Sequence, residues 1–269
     1  MDIKFFAPTK APHPLGENLA RNFCKGEYLA AHGEPLARVN LHYGILYGGA
    51  EMHEKARQEG KHFVHVDHAF FGRNEDLWKE QGYFRFSLDH QSNGQRHTLE
   101  IDRPRLAALQ SRGLLKLEPR QNLQKRQLIV YQPPSHFMVE YFKLPADFDA
   151  GWRAEIRTRF PGMMVVTLHK SPKDETFWEN TAIVASFNSG LGFEALRRGK
   201  EAIMTAPHAI QRHGVPSTLW PYMPGDLTDL KWAERRFEAF CTIAGRMWNF
   251  QEMRNGKALE HMQRNGEIP

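Results

Sequence analysis

The chain has 269 residues, of which 41% are hydrophobic and 25% are charged. This balance is typical of a soluble globular protein, and no apolar run approaches the roughly 20 residues of a membrane-spanning helix. The first residues lack the basic and apolar segments of a secretory signal, and two distant cysteines exclude a disulfide framework or a cysteine-rich metal site. We therefore expect a cytoplasmic protein with one large or two small domains.

The net charge is +5 and the sequence pI is about 9.2. An excess of positive charge favours polyanionic partners such as nucleic acid, or anionic small molecules such as nucleotide sugars.

The first half of the chain predicts alternating strands and helices, which is the pattern of parallel βαβ units. A helical pattern that ends at Gly113 closes this half. The predicted elements are strand 3–6, a helix near 18–31, strand 44–47, helix 50–59, strands 62–66 and 83–88, and helix 105–112.

A polar stretch at 118–126 predicts a linker, after which a second strand and helix series begins. This series predicts strand 127–131, a Pro133-Pro134-Ser135 turn, helix 148–160 and strand 163–168, and 230–262 predicts one long or two shorter helices. On that helical tail, Arg235 and Arg236 are expected to face solvent. The predicted segments are a first lobe at 1–122, a second lobe at 123–228 and bracing helices at 229–269. Ligands are expected beyond the carboxyl ends of the strands, in a cleft between the lobes.

Residues 181–205 read as a strand, a tight Asn188-Ser189-Gly190 turn, a short helix, a stop at Gly199 and another strand. Such a unit directs backbone N–H groups and the positive end of a helix dipole at a ligand over the turn, which suits a diphosphate. Glu194 lies about one helical turn later, where a carboxylate can accept hydrogen bonds from a ribose. The alternative is an ordinary βαβ unit whose helix is capped by Asn188 or Ser189.

These residues also resemble a known family. The order of His169-Lys170-Ser171-Pro172, Asn188-Ser189-Gly190 and Gly192-Phe-Glu-Ala-Leu-Arg-Arg-Gly-Lys200 is similar to the donor half of GT-B glycosyltransferases, above all the capsule-polysaccharide transferases. The resemblance covers residues 127–206. It implies an α/β fold of two Rossmann-like lobes in a GT-B arrangement, and a nucleotide sugar of the UDP-sugar type as co-substrate, with no metal required.

The resemblance also implies roles for single residues. In that family the serine and the turn amides hold the donor phosphates, and the glutamate contacts the ribose. These roles fall on Ser189, Gly190 and Glu194, with His169 and Lys170 as further phosphate neighbours. Asn188 belongs to the same turn, and Ser135, on the first loop of this half, can also reach the phosphates; a simple polar turn is the alternative for Ser135.

An inverting transfer needs a general base near the acceptor hydroxyl. Asp67 follows the predicted strand 62–66 and is the predicted base, and Asp89 is the runner-up. The alternative for Asp67 is a cap of the following turn. A retaining mechanism would need no such base.

Basic residues interleaved with aromatic ones on both sides of Asp67 suit a nucleic acid with a flipped or single-stranded base. The set is Lys61, Arg73, Arg85, Arg96, Phe70, Phe71, Tyr83 and Phe86. The alternative is that these aromatic residues belong to the core. The predicted acceptor-binding residues are His68, Arg73 and Arg85.

Three functions follow from these observations. The first is a glycosyltransferase that modifies a hydroxymethylated pyrimidine in duplex DNA, favoured by the basic pI. The second is a surface-polysaccharide glycosyltransferase, favoured by the motif resemblance. The third is a non-catalytic nucleotide- or nucleic-acid-binding module.

Overall fold

The computed structural model describes residues 2–8, 14–46, 48–70, 82–89, 101–121, 128–169, 175–187, 189–204, 232–266 and 268. Contacts divide the chain into two compact units, Met1–Leu114 with Cys241–Pro269, and Leu115–Phe240. Leu115 therefore starts the second unit, earlier than the predicted boundary after residue 122. The C-terminal residues from Cys241 onward belong to the first unit.

Strands and helices alternate along most of the described chain. In chain order they are β1 (Ile3–Phe6), α1 (Pro14–Asn22), β2 (Leu29–Ala30), β3 (Val39–Tyr43), α2 (Gly49–Gln58), β4 (His62–His68), β5 (Tyr83–Leu88), α3 (Arg103–Ser111), β6 (Leu128–Gln132), α4 (His136–Tyr141), α5 (Phe148–Arg159), β7 (Met164–Thr167), α6 (Glu175–Asn180), β8 (Thr181–Ser186), α7 (Gly190–Arg197), β9 (Glu201–Met204), α8 (Trp232–Ala244), β10 (Met247–Asn249), α9 (Phe250–Arg254) and α10 (Lys257–Arg264).

The first unit contains a six-stranded sheet in the order β10-β5-β4-β3-β1-β2. Strands β2, β1, β3 and β4 are parallel, whereas β5 and β10 pair antiparallel. One face of this sheet packs an apolar core with α1, α9 and α10. The other face carries α2. Because side chains alternate along a strand, most polar residues of β3, β4 and β5 point to this face, namely Asn40, His42, His65, Asp67, Arg85 and Ser87.

Two predicted elements of the first unit are wrong. The α-helix expected near 18–31 ends at Asn22. A short 3-10 helix, Phe23–Gly26, follows it, and the positive φ angles of Cys24 and Lys25 interrupt the helical path. Leu29–Ala30 then pairs as a strand with β1. The strand expected at 44–47 lies earlier, at Val39–Tyr43, because Gly44 has φ +69° and begins the turn toward α2. Tyr47 lies outside the described residues.

The second unit contains a parallel four-stranded sheet in the order β7-β6-β8-β9. All six residues of β8 are buried, as expected for a central parallel strand covered on both faces. The predicted strands and helices between 127 and 204 are confirmed within the described residues, and α4 and α6 are additional.

The C-terminal segment differs from the predicted one or two helices. Met247–Asn249 forms β10, which pairs antiparallel with Tyr83–Arg85, so Trp248 lies on a strand. Asn249 then caps α9 through a capping box with Glu252. The expectation that Arg236 is solvated is also wrong, because it is buried and donates to the carbonyl of Leu196 at 2.9 Å. The side chain of Arg235 is outside the described set.

Gly199 fixes the end of α7. Its φ is +70°, and a Cβ at this position would lie 1.9 Å from the carbonyl oxygen of Pro119. Next to it, Lys200 is buried and donates to the carbonyl of Thr181 at 2.8 Å, at the amino end of β8. The hydrogen bond from Lys200 therefore connects the turn between α7 and β9 to the first residue of β8.

We predict that Gly199→Ala destabilises the second unit by about 3 kcal/mol, because it combines left-handed backbone strain with a steric clash. Gly162→Ala is the matched control: its φ is +86°, but its Cβ would meet no atom within 4 Å. The control should cost only about 1–2 kcal/mol. Urea unfolding of both variants is the measurement, and equal costs would contradict the steric explanation.

Candidate functional site

The second unit has a cavity of about 320 Å³ at the carboxyl ends of its strands. The chain passes from β6 to β7 on one side and returns to β8 on the other, so the strand order reverses between β6 and β8. Parallel sheets bind ligands at such a switch point. The lining residues are Gln132, Pro133, Pro134, Ser135, Met138, His169, Phe187 and Ser189.

Three predicted donor-binding residues meet in this cavity, namely Ser135, His169 and Ser189. They come from three different loops, which follow β6, β7 and β8. The parallel arrangement brings these loops to one edge of the sheet, although they are far apart in sequence.

Ser189 caps α7 at the cavity. Its Oγ accepts a hydrogen bond from the amide of Leu191 at 3.1 Å, and its backbone is extended, as in an N-cap. The amides of Ser189 and Gly190 donate to no other described residue. A Cβ on Gly190 would meet nothing within 4 Å. The first turn of α7 therefore presents amides and open space to an anion.

Ser135, which also lines the cavity, likewise caps a helix. It is the N-cap of α4, and its Oγ accepts from the amide of Met138 at 3.3 Å. The cap explains why α4 begins after the two prolines. Its exposed hydroxyl can still donate a proton to a ligand oxygen.

Gln132 ends β6 and lines the cavity. Its Oε1 atom is buried and accepts no hydrogen bond from the described residues. A buried carbonyl without a donor is costly, so this atom is ready to accept from an N–H or O–H group of a ligand. Sequence inspection missed Gln132, although a polar residue at the end of an apolar strand is a signal for such a position.

Glu194 is not part of the cavity lining. Its carboxylate accepts from Arg197 at 2.5 and 2.7 Å and from Arg198 at 2.6 Å. Burial alone would raise the pKa of Glu194, but the hydrogen bonds from both arginines lower it. The structure thus pairs this side chain with its own helix. Lys170 and Asn188 lie outside the described residues.

In the first unit, Asp67 lies within β4 rather than after it, because the ladder with β5 continues to His68. Its Oδ2 accepts from Arg85 at 2.8 Å, and its Oδ1 accepts from the amide of His68 at 2.7 Å. Burial alone would raise the pKa of Asp67, but the charge of Arg85, with smaller contributions from His65 and His68, lowers it to about 2.

The predicted acceptor residues do not form one basic surface in the described chain. Arg85 is buried, pairs with Asp67, and stacks its guanidinium 4.2 Å above the ring of Phe70. His68 points to the opposite face of β4, where its Nε2 lies 2.8 Å from the Tyr43 hydroxyl. Tyr83 and Phe86 belong to the core, which was the alternative for these aromatic residues. Arg73 and Arg96 lie outside the described residues.

Asp89, the runner-up for the base, lies at the other end of β4. Its carboxylate accepts from the amide of Phe63 at 2.9 Å and contacts Nδ1 of His62 at 3.1 Å. This is the amino end of the parallel strand, away from the edge where parallel sheets bind ligands. Its geometry is that of a structural cap.

His65 lies beside Asp67 on the face that carries α2. It is fully buried, and neither ring nitrogen has a hydrogen-bond partner among the described residues. Its register neighbours are His42 on β3 and Ser87 on β5. Burial lowers the pKa of His65 to about 3, because the imidazolium ion cannot be solvated.

Within the described ranges, no group of three or more His, Cys, Asp or Glu side chains is placed to hold a metal ion. None of the helices in those ranges combines the length and apolar content of a membrane-crossing helix.

No protein-family model and no curated protein matches the chain. Among solved structures, it is similar to the β-Kdo 2,7 transferase of Thermosulfurimonas dismutans KpsC, with 11% identity and a TM-score of 0.52. This match covers 96% of the present chain and 99% of the other. The β-Kdo 2,4 transferase of the same KpsC has a TM-score of 0.48 at 13% identity, over 95% and 98% of the two chains.

The first of these matches shows a shared fold. The expected α/β class with two parallel-rich sheets is therefore confirmed, and the fold resembles that of a glycosyltransferase. At this level of identity the comparison gives no residue roles.

We predict that His65 makes the stability of the first unit pH-dependent. Below about pH 6.5 the unfolded chain binds a proton at this residue, whereas the native state stays neutral down to about pH 3. Stability therefore falls as the pH drops through this window. Between pH 7 and 5, wild type should lose about 2 kcal/mol more than His65→Phe does.

Urea unfolding at the two pH values is the measurement. His32→Gln removes an exposed histidine of the same unit and serves as the control for the loss of a histidine side chain at a solvated site. Parallel pH profiles for wild type and His65→Phe would show that His65 is not buried as a neutral group.

Proposed function

We propose that the protein is a glycosyltransferase that moves a sugar from a nucleotide sugar to a hydroxyl of a carbohydrate acceptor, as in surface-polysaccharide synthesis. The observation that carries the proposal is the likeness to a Kdo transferase over nearly the full length of both chains. The cavity at the switch point of the second unit supports it independently.

The donor is proposed to bind in that cavity with its diphosphate at the start of α7. The amides of Ser189 and Gly190 and the helix dipole favour negative charge there. His169 lines the same space and can donate a hydrogen bond to a phosphate oxygen. The apolar wall of Met138 and Phe187 suits the flat face of a nucleobase.

A carbohydrate acceptor fits these observations better than duplex DNA. The solved structure with a similar fold is a Kdo transferase, which acts on a carbohydrate-type substrate by its name. Arg85, a candidate for the DNA-binding surface, is instead buried in an ion pair with Asp67. Tyr83 and Phe86, which were candidates for stacking on a base, are buried in the core.

Asp67 is proposed as the catalytic carboxylate of the first unit. The ion pair with Arg85 keeps it ionised, although a pKa of about 2 makes it a weak base in the resting protein. Proton abstraction therefore requires that the acceptor hydroxyl approach Asp67 closely in a shielded environment. An ionised carboxylate can alternatively stabilise positive charge that develops on the transferred sugar, as in a retaining mechanism.

Ser189→Asp tests the donor site. Aspartate caps a helix as well as serine does, so the stability of α7 should be kept or raised. The added negative charge should nevertheless repel the diphosphate and weaken nucleotide binding by about 10-fold or more. Calorimetry with UDP, CDP, GDP and ADP is the measurement, with Ser111→Asp on α3 as a control for added charge.

Unchanged nucleotide affinity in Ser189→Asp would contradict the proposal that the donor diphosphate binds at the start of α7. Loss of affinity together with a lower unfolding midpoint would instead point to a misfolded variant. Ser189→Gly, which caps nearly as well, separates the hydroxyl from the charge effect.

Asp67→Asn tests the catalytic carboxylate. The amide keeps the shape of the side chain but neither accepts a proton nor carries charge, so transfer should slow by about 100- to 10,000-fold while nucleotide affinity is kept. Single-turnover transfer from a panel of nucleotide sugars, including an activated Kdo, is measured with oligosaccharide acceptors and with hydroxymethylated duplex DNA.

Asp89→Asn is run beside it and should keep near-normal turnover once corrected for the folded fraction. Loss of activity in Asp89→Asn alone would reassign the carboxylate. Transfer to the DNA arm only would replace the proposed carbohydrate acceptor, and no transfer from any donor would favour a binding module without turnover.

A further inference from the structure

The first unit also has a cavity, of about 220 Å³, which has no part in the proposed reaction. It lies beyond the carboxyl ends of β1 and β2, between the 32–36 loop and α2. In a parallel sheet this edge is where ligands bind. Its volume is below the roughly 300–1,000 Å³ of pockets for drug-sized ligands, so it suits one small ring.

We propose that this cavity is a subsite for one neutral sugar unit of the acceptor chain. The proposal rests on the proposed function, since a polymer acceptor extends beyond the hydroxyl that reacts. It assigns to the first unit a place that holds the acceptor at a distance from Asp67.

The floor of the cavity is apolar. Phe6, Leu36 and Met52 line it and belong to the small core cluster beneath α2. Such a floor can contact the C–H face of a pyranose ring. Excluding water from these two apolar surfaces contributes favourable free energy of binding. A small inorganic ion would make no apolar contact with this surface.

The rim is polar and carries hydroxyl-binding groups. Glu51 and Lys55 project from α2, and Glu34 from the facing loop. Glu51 makes no ion pair or side-chain hydrogen bond with another described residue, whereas Glu34 is anchored by Lys4 at 3.0 Å and by the amide of Ala31 at 2.7 Å. Carboxylates accept strong hydrogen bonds from hydroxyl groups, and an ammonium donates them.

The charges of the rim balance. Glu34 is paired with Lys4 at 3.0 Å, which leaves Glu51 and Lys55 as one negative and one positive group. No excess charge is therefore present to attract a phosphate or a uronic acid. A neutral ring with several hydroxyl groups satisfies both the donor and the acceptors, so the class of ligand is a neutral sugar.

Methionine methyl groups make this cavity observable apart from the donor cavity. The chain has ten methionines; Met52 lines the subsite of the first unit, and Met138 lines the cavity of the second. Full-length protein labelled with [methyl-13C]methionine is titrated with methyl α-glucoside, methyl α-galactoside and methyl β-glucuronide. The two signals are assigned with Met52→Leu and Met138→Leu.

The neutral glycosides should shift the Met52 signal in a saturable manner and leave Met138 unchanged. Glu51→Gln keeps the size of the side chain but loses the charged acceptor, so the affinity for the neutral glycosides should fall by about 10-fold. Glu54→Gln is the matched control on the same helix, because Glu54 pairs with Arg57 at the exposed surface and is not among the cavity residues.

The proposal is overturned if neither neutral glycoside shifts Met52, if only the glucuronide does, or if Glu51→Gln binds as wild type does. The proposed function fails separately: a nucleoside diphosphate added to the same sample should shift Met138. If the nucleoside diphosphate does not shift the Met138 signal while the neutral glycosides shift the Met52 signal, the donor site is rejected and the sugar subsite is retained.

Discussion

The hydrogen bond from the amide of Leu191 to Ser189 Oγ fixes where α7 begins, and the candidate donor site depends on it. This cap allows the chain to leave the buried strand β8 and enter the helix within a few residues. The amides of Ser189 and Gly190, which donate to no other described residue, consequently lie at the carboxyl end of the sheet, beside the cavity. At the other end of α7, the buried Lys200 connects the end of the helix to the first residue of β8. The features that we propose to bind phosphate thus follow from ordinary requirements of chain geometry.

The sheet of the first unit has one apolar face and one face on which polar side chains are buried. One face of its sheet is a conventional apolar core, whereas the other buries Asn40, His42, His65, Arg85 and Ser87. Burying polar groups costs free energy unless each finds a partner, and the ring of His65 has none among the described residues. Proteins retain such groups where function needs them, and this polar face surrounds Asp67. A predicted catalytic residue therefore lies beside a buried histidine that has no hydrogen-bond partner among the described residues.

The strands and helices of the second unit could be predicted from the sequence because their signals are local. A strand over 181–186, a helix cap at Ser189 and a stop at Gly199 each depend on neighbours within a few residues, and the structure has all three. Strand β10 could not be predicted in this way. Its three residues pair with Tyr83–Arg85, more than a hundred residues away, and that pairing decides their conformation. Local propensity alone favoured a helix across this segment.

Side-chain roles were harder to predict than elements. Glu194 has the right spacing for a ribose contact, but two arginines one turn later on the same helix engage its carboxylate. The pair of Asp67 and Arg85 across two strands depends on register, which sequence spacing does not give. In contrast, Ser135, His169 and Ser189 meet because each follows a parallel strand, and the positions of such strands can be predicted from the sequence alone.

The central claim is that the second unit holds a nucleotide sugar with its diphosphate at the start of α7. A crystal structure of the protein soaked with a nucleoside diphosphate tests this most directly. The account predicts phosphate oxygens within hydrogen-bonding distance, about 2.7–3.2 Å, of the Ser189 and Gly190 amides, with the base against Met138 and Phe187. A nucleotide bound elsewhere on the chain, or an empty cavity at saturating ligand, would contradict it.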